Sequence, residues 1–127
     1  MRNFKELLIW QRSHKLTLHI YKIVSTFPSF ETFGLISQMR RSSYSIPTNI
    51  SEGCGRNSNP ELVRFLNISM GSANELEYQL LLSRDLEYLD NEIYLVTEKE
   101  LVEVKKMMNT FIQSVKKQIA ENKPPKS

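Results

Sequence analysis

The chain has 127 residues with 40% hydrophobic and 24% charged side chains, a single cysteine, and only four glycines and five prolines. That length suits one domain able to bury a core without metal or disulfide support, and the scarcity of turn formers argues against a β architecture. Cys54 has no partner for an internal disulfide, and no stretch of about 18 apolar residues or signal-peptide pattern is present, so the expectation is a reducing cytoplasm and no membrane. The net charge of +3 is unevenly spread: residues 1–64 carry nine basic against four acidic groups, residues 65–104 two against nine, and residues 105–127 six against one. Such segregation permits a basic surface for phosphates and an acidic one for water or a neighbouring subunit, though ordinary surface charge accounts for it too.

Four helical segments follow in chain order. The first, about Phe4 to Phe27, carries a stripe of Ile9, Leu16, Ile20, Ile23 and Phe27 flanked by Trp10, Tyr21 and Val24, and Pro28 stops it. The second, about Phe33 to Glu52, sets Ile36, Met39, Ser43, Ile46 and Ile50 at steps of three and four. It contains Pro47, which cannot donate to the Ser43 carbonyl, so a kink or an early end is expected there, with Gly53 and Gly55 as a left-handed stop.

The third opens with Asn59 as cap, Pro60 in the first turn and Glu61 at the positive end of the helix dipole. Leu62, Leu66, Ser69, Ala73, Leu76 and Leu80 form its seam, and Ser69, Gly71, Ser72 and Ala73 permit close helix approach, up to an end near Leu86. The fourth starts near Asp90 or Asn91 and repeats Tyr94, Thr97, Leu101, Val104, Met108, Phe111 and Val115. Long helices with short connections bury such stripes by lying side by side, so the expected fold is all-α: an antiparallel up-down-up-down left-handed four-helix bundle over residues 1–121, with 122–127 a disordered C-terminal tail. The broad apolar face of the first helix and exposed tyrosines such as Tyr88 make a homo-oligomer plausible on physical grounds.

Catalytic chemistry finds little to stand on. His14 and His19 are five apart and diverge on a helix, so neither fits the spacing of a helical metal site. Cys54 sits near helix ends, where a thiol pKa can fall, yet has no neighbouring histidine as base; Glu75 and Glu77 are two apart and cannot share a proton. No catalytic residue, cofactor or metal is expected. The densest polar group is Gln38, Arg40, Arg41, Ser45, Asn49, Glu52, Arg56 and Arg64. Arginine forks suit phosphates and amides suit sugars or base edges, making Arg40, Arg41, Arg56 and Arg64 candidate nucleic-acid contacts. The competing reading has Arg40 or Arg41 paired with Glu75 or Glu77, and Asn49 serving backbone groups freed at Pro47.

Gln38-Met-Arg-Arg41, then Ser45-Ile-Pro-Thr-Asn-Ile-Ser-Glu-Gly53 with Gly55-Arg56, and later Gly71-Ser-Ala-Asn-Glu-Leu-Glu77, resemble the signature of the bacterial four-helix-bundle family of 23S rRNA intervening-sequence proteins. Trp10, Phe27-Pro28, Gly34-Leu35 and Arg64-Phe65-Leu66 match as well, so the resemblance covers nearly the whole chain. It implies a non-enzymatic bundle able to form a homopentamer, with Ser45, Pro47, Asn49, Glu52, Gly53, Gly71 and Glu75 as structural signature and Arg40, Arg41 and Arg56 at basic positions. Cys54 stands where the family usually has an aromatic residue, and Tyr44 where it has a small one. A similar bundle acts beside a reverse transcriptase in diversity-generating retroelements, a fold-level analogy that points to RNA or DNA as partner. A protein-interaction scaffold is the alternative expectation.

Overall fold

In a computed structural model of the protein, residues 2–122 are described, and the expected tail beyond Asn122 lies outside them. Four long helices account for the architecture: α1 (Leu8–Val24), α2 (Leu35–Cys54), α3 (Asn59–Asp85) and α4 (Asn91–Glu121), with 3-10 turns at Phe4–Glu6 and Ser29–Glu31. There is no strand among the described residues. α1 and α3 each touch both α2 and α4 and do not touch one another, so they stand on opposite corners. Cross-links between neighbours pair rising with falling residue numbers: Thr17 with Ser43, Ser42 with Gln79 and Ser45 with Ser72, Asn59 with Gln118 and Glu77 with Lys105. Neighbouring helices therefore run antiparallel in a four-helix bundle.

The helix ends refine the expected limits. Extended backbone at Leu7 separates the first 3-10 turn from α1. The cap of α3 is Ser58, whose hydroxyl accepts from the Glu61 amide at 3.3 Å; Asn59, expected in that role, turns its side chain to Arg2 and Gln118 instead. Asp90 caps α4 by accepting from the Ile93 amide at 2.9 Å. α3 closes with a Schellman pattern in which the Tyr88 amide donates to the Ser83 carbonyl and the Glu87 amide to the Arg84 carbonyl, both at 2.9 Å. Glu87 takes the left-handed conformation this requires, φ 63°, where glycine would be at ease.

All but the flanks of the four seams are buried, with Ile20, Met39, Ile46, Ile50, Leu66, Leu76, Leu80, Leu101 and Met108 fully enclosed. Each fully buried aliphatic side chain is worth about 1.5–3 kcal/mol, so the interdigitated stripes dominate the folding energy. Phe33, expected to open the second helix, lies outside it and is exposed. Tyr88 is not exposed as expected: it packs on Phe27 with centroids 5.5 Å apart and donates to Glu31 at 3.0 Å. Burial, then that hydrogen bond, pushes its phenol above the ordinary value.

Pro47 does not end the second helix, which runs unbroken to Cys54. Thr17 of α1 explains why. Its hydroxyl lies 2.9 Å from the Ser43 carbonyl that the proline leaves without a donor, sharing its proton with the Ser13 carbonyl at 3.0 Å. Asn49, expected to serve that carbonyl, donates instead to the Ser45 carbonyl at 2.8 Å and the Ser45 hydroxyl at 3.0 Å. Neither Gly53 nor Gly55 has positive φ, so the expected left-handed stop is absent. Gly53 serves another purpose: a Cβ there would lie 2.9 Å from Leu62 Cδ1 and 3.0 Å from Phe65 Cβ, so its hydrogen lets α2 and α3 close up. Next to it Cys54 is buried, and burial raises its thiol pKa from 9.0, contrary to the lowering a helix end can bring. A raised value favours the neutral thiol, so this contribution to stability is intact at neutral pH and is lost as pH rises through the folded value.

Three outcomes are expected in denaturant titrations followed by circular dichroism. Gly53→Ala lowers stability by about 1–3 kcal/mol through overpacking against Leu62 and Phe65. Thr17→Val costs about 1–3 kcal/mol by leaving the Ser43 carbonyl unsatisfied, and much of that cost vanishes in a Pro47→Ala background, where residue 47 regains the helical donor. Glu87→Gly raises stability by about 0.5–1 kcal/mol by relieving the left-handed residue.

Candidate nucleic-acid interface

The seam between α2 and α3 takes up much of the polar group singled out in the sequence. Arg41 donates to Gln38 at 2.9 Å and to Glu75 at 3.2 Å, so the structural pairing holds for this arginine. The Ser45 and Ser72 hydroxyls are 2.8 Å apart, and Ser72 reaches the Ile68 carbonyl at 3.3 Å, which continues a proton chain begun by Asn49. Deeper in the seam Ser42 meets Gln79 at 2.6 Å and Ser69 donates to the Ile46 carbonyl at 2.8 Å. Glu77 pairs with Lys105 of α4 at 3.0 Å rather than with an arginine of α2.

Arg40 points the other way around α2, its guanidinium 5.3 Å from the centre of the Tyr21 ring on α1, and its buried Nε has no hydrogen-bond partner among the described residues. A guanidinium face over a tyrosine contributes about 0.5–1 kcal/mol at an exposed site.

The four candidate arginines do not form one surface. Arg41 and Arg56 are separated by about 20 Å along the helix axis at 1.5 Å per residue. Arg56 and Arg64 meet at the other end of the bundle, where they clasp Phe65: their guanidinium carbons lie 4.7 and 4.4 Å from the ring centre. Arg56 also approaches Glu52 at 3.6 Å, and Arg64 binds Glu61 at 2.7 Å. The hydrogen bond from Arg64 holds the Glu61 carboxyl below its ordinary range. This pair is exposed, so its stabilising effect is small, present above the unfolded pKa and lost as pH falls.

The same end gathers basic groups that the sequence left scattered. Arg2 lies against Asn59 at 3.4 Å and Gln118 at 3.2 Å, both neutral partners, and its amide donates to the Cys54 carbonyl at 3.1 Å. Lys116 and Lys117 are exposed beside Gln118, and Lys5 follows in the first turn. Six basic groups therefore meet four carboxylates, Glu6, Glu52, Glu61 and Glu121, at this foot of the bundle. At the head, Lys22 and Arg84 face Glu31, Asp85, Glu87, Asp90 and Glu92. Linear charge segregation has become a charge gradient along the bundle. Arg2, Lys116 and Lys117 were visible only as basic chain ends; no motif marks them, and the fold alone brings them beside Arg56 and Arg64.

The two histidines have separate settings. His14 stacks on Trp10 at 5.0 Å, and His19 Nε2 donates to Thr97 Oγ1 at 3.0 Å, since the threonine proton goes to the Ile93 carbonyl. No group of three or more His, Cys, Asp or Glu that could hold a metal ion occurs among the described residues, and no helix there is long and apolar enough to cross a membrane.

None of the curated proteins matches the chain. A crystal structure at 1.70 Å of a protein with unknown function from the S23 ribosomal protein family of Bacteroides thetaiotaomicron VPI-5482 is similar to it, with a TM-score of 0.75 at 29% identity, covering 83% of this chain and 98% of that one. The family model of the 23S rRNA-intervening sequence protein matches residues 5–110, which contain all four helices in whole or part and every residue of the α2–α3 seam. The chain thus belongs to the 23S rRNA-intervening sequence protein family.

Proposed function

We propose that this protein is a non-catalytic, oligomeric adaptor that binds RNA or DNA through phosphate contacts at the basic foot of the bundle. The observation that carries the reading is the meeting of Arg2, Lys5, Arg56, Arg64, Lys116 and Lys117 from both chain ends and the α2–α3 turn. Arginine and lysine gathered from separate segments suit a polyanion better than a single small anion, because repeated phosphates engage each in turn. The homopentamer that the family resemblance implies fits the same reading, since a ring of identical feet multiplies weak contacts through effective concentration. Arg40 and Arg41 flank α2 well away from the foot and are secondary contacts in this scheme.

A second reading, a protein-interaction scaffold without nucleic acid, draws on the head. Phe33 is 95% exposed and Phe30 78% exposed there, close to Glu31 and Glu87, and exposed aromatic groups mark protein contacts.

Fluorescence anisotropy with a labelled structured RNA and a labelled DNA duplex, titrated across a salt series, separates the readings. Wild type binds with an affinity that falls steeply with salt. Replacing Arg56, Arg64, Lys116 and Lys117 together by alanine, with helicity unchanged, weakens binding at least tenfold and flattens the duplex salt slope by about 0.9 for each phosphate that is no longer neutralised. Arg40→Ala/Arg41→Ala retains most of the affinity. Absence of binding to either nucleic acid at low salt would leave the scaffold reading in possession.

A further inference from the structure

Gly71 lies in the middle of α3, exposed, with φ in the ordinary helical range, and a Cβ built on it meets nothing within 4 Å. Gly53 is explained by the close approach of α2 to α3; Gly71 is explained by nothing inside the chain. Glycine is the poorest helix former after proline, so its place here favours a need from outside the chain. The residues along the same outer line are Ile68, Glu75, Tyr78 and Leu82, at steps of three and four about Gly71. Ile68 and Tyr78 are 42% and 62% exposed.

The opposite corner of the bundle carries a matching line. On α1 the outward residues are Leu8, Gln11, Lys15, Leu18 and Lys22, with the same spacing, and Leu8 and Leu18 are 59% and 57% exposed. Laid side by side in one direction, the two lines coincide residue for residue. Leu8 meets Ile68, Gln11 meets the gap at Gly71, Lys15 meets Glu75, Leu18 meets Tyr78, and the Lys22 stem lies along Leu82. Apolar groups face apolar groups, the single carboxylate faces a lysine, and the longest uncharged polar side chain faces the residue that has none. α1 and α3 run in the same direction within one bundle, so two copies standing in the same orientation present these lines to each other in parallel.

We infer that the outer face of α1 in one copy seats on the outer face of α3 in the next, with Gly71 as the notch that admits it. Each chain offers two different faces, so the contact is heterologous and propagates around a ring or along a filament according to the rotation per step. All feet then point the same way, which places the basic ends of successive copies on one rim. The inference builds on the assembly half of the proposed function and is independent of whether the rim binds nucleic acid.

Sedimentation velocity over a range of protein concentrations tests it, with circular dichroism as the control for folding and anisotropy with the same labelled RNA as a second readout. Wild type sediments as a species heavier than the 14.9 kDa chain. Gly71→Arg, which replaces a poor helix former with a good one, keeps its helicity but sediments as a single chain. Lys15→Glu weakens association at least tenfold, and Lys15→Glu/Glu75→Lys recovers it. A wild-type protein that stays a single chain throughout, a Gly71→Arg variant that assembles like wild type, or a charge exchange without recovery would overturn the seam. A Gly71→Arg variant that remains assembled but changes RNA affinity would make this line a nucleic-acid contact and overturn it likewise. A monomeric variant that still binds RNA with a salt-dependent affinity separates assembly from the basic foot.

Discussion

The tight seam between α2 and α3 is the constraint on which the other contacts rest. Gly53 removes the one Cβ that would hold the helices apart at Leu62 and Phe65. Above that point the two surfaces approach closely enough for short side chains to bridge them: Ser69 to the Ile46 carbonyl, Ser45 to Ser72, Ser42 to Gln79 and Arg41 to Glu75. Serine reaches only a little beyond its Cβ, so these bonds set the spacing and the register together. A slip of one helical turn would leave buried hydroxyls without partners, at about 1–3 kcal/mol for each.

Pro47 extends the same design to α1. In the middle of a helix it deletes a donor, and the orphaned Ser43 carbonyl becomes an acceptor for Thr17. The local defect in α2 thereby specifies which turn of α1 packs against it, as a buried polar contact often fixes register where apolar packing is permissive. α4 is tied to the bundle by Lys105 with Glu77, by His19 with Thr97 and by Arg12 with Glu100 at 3.3 Å. These outer ion pairs are partly solvated and contribute less than the seam.

Charge follows from the same topology. Antiparallel packing brings the start of the chain, the α2–α3 turn and the end of α4 to one end, and each of these segments is basic. The acidic stretch through the α3–α4 connection falls at the other end. Arg56 and Arg64 meet over Phe65 because the α2–α3 turn is short, whereas Arg40 and Arg41, adjacent in sequence, diverge to Tyr21 and Glu75 around the helix. A foot so composed has positive charges on long side chains at its edge and a rigid aromatic platform beneath, a combination that suits phosphate and base together.

Periodicity in the sequence determined the number of helices, their inward faces and most of their limits, because a 3.6-residue repeat of apolar groups has one efficient way to leave water. Leu62, Leu66, Leu76 and Leu80, or Leu101, Val104 and Met108, needed no tertiary information to be placed in the core. The family signature was equally legible in its own letters. Position along a helix does not say which neighbour a side chain meets, however, and there the tertiary structure decided. It gave the Ser43 carbonyl to Thr17 rather than Asn49, made Gly53 a point of contact rather than a stop, and buried Cys54 and Tyr88. It also divided one apparent arginine cluster into a structural flank and a basic foot, since residues close in sequence on a helix diverge by about 100° per step while residues more than a hundred positions apart meet where the chain returns.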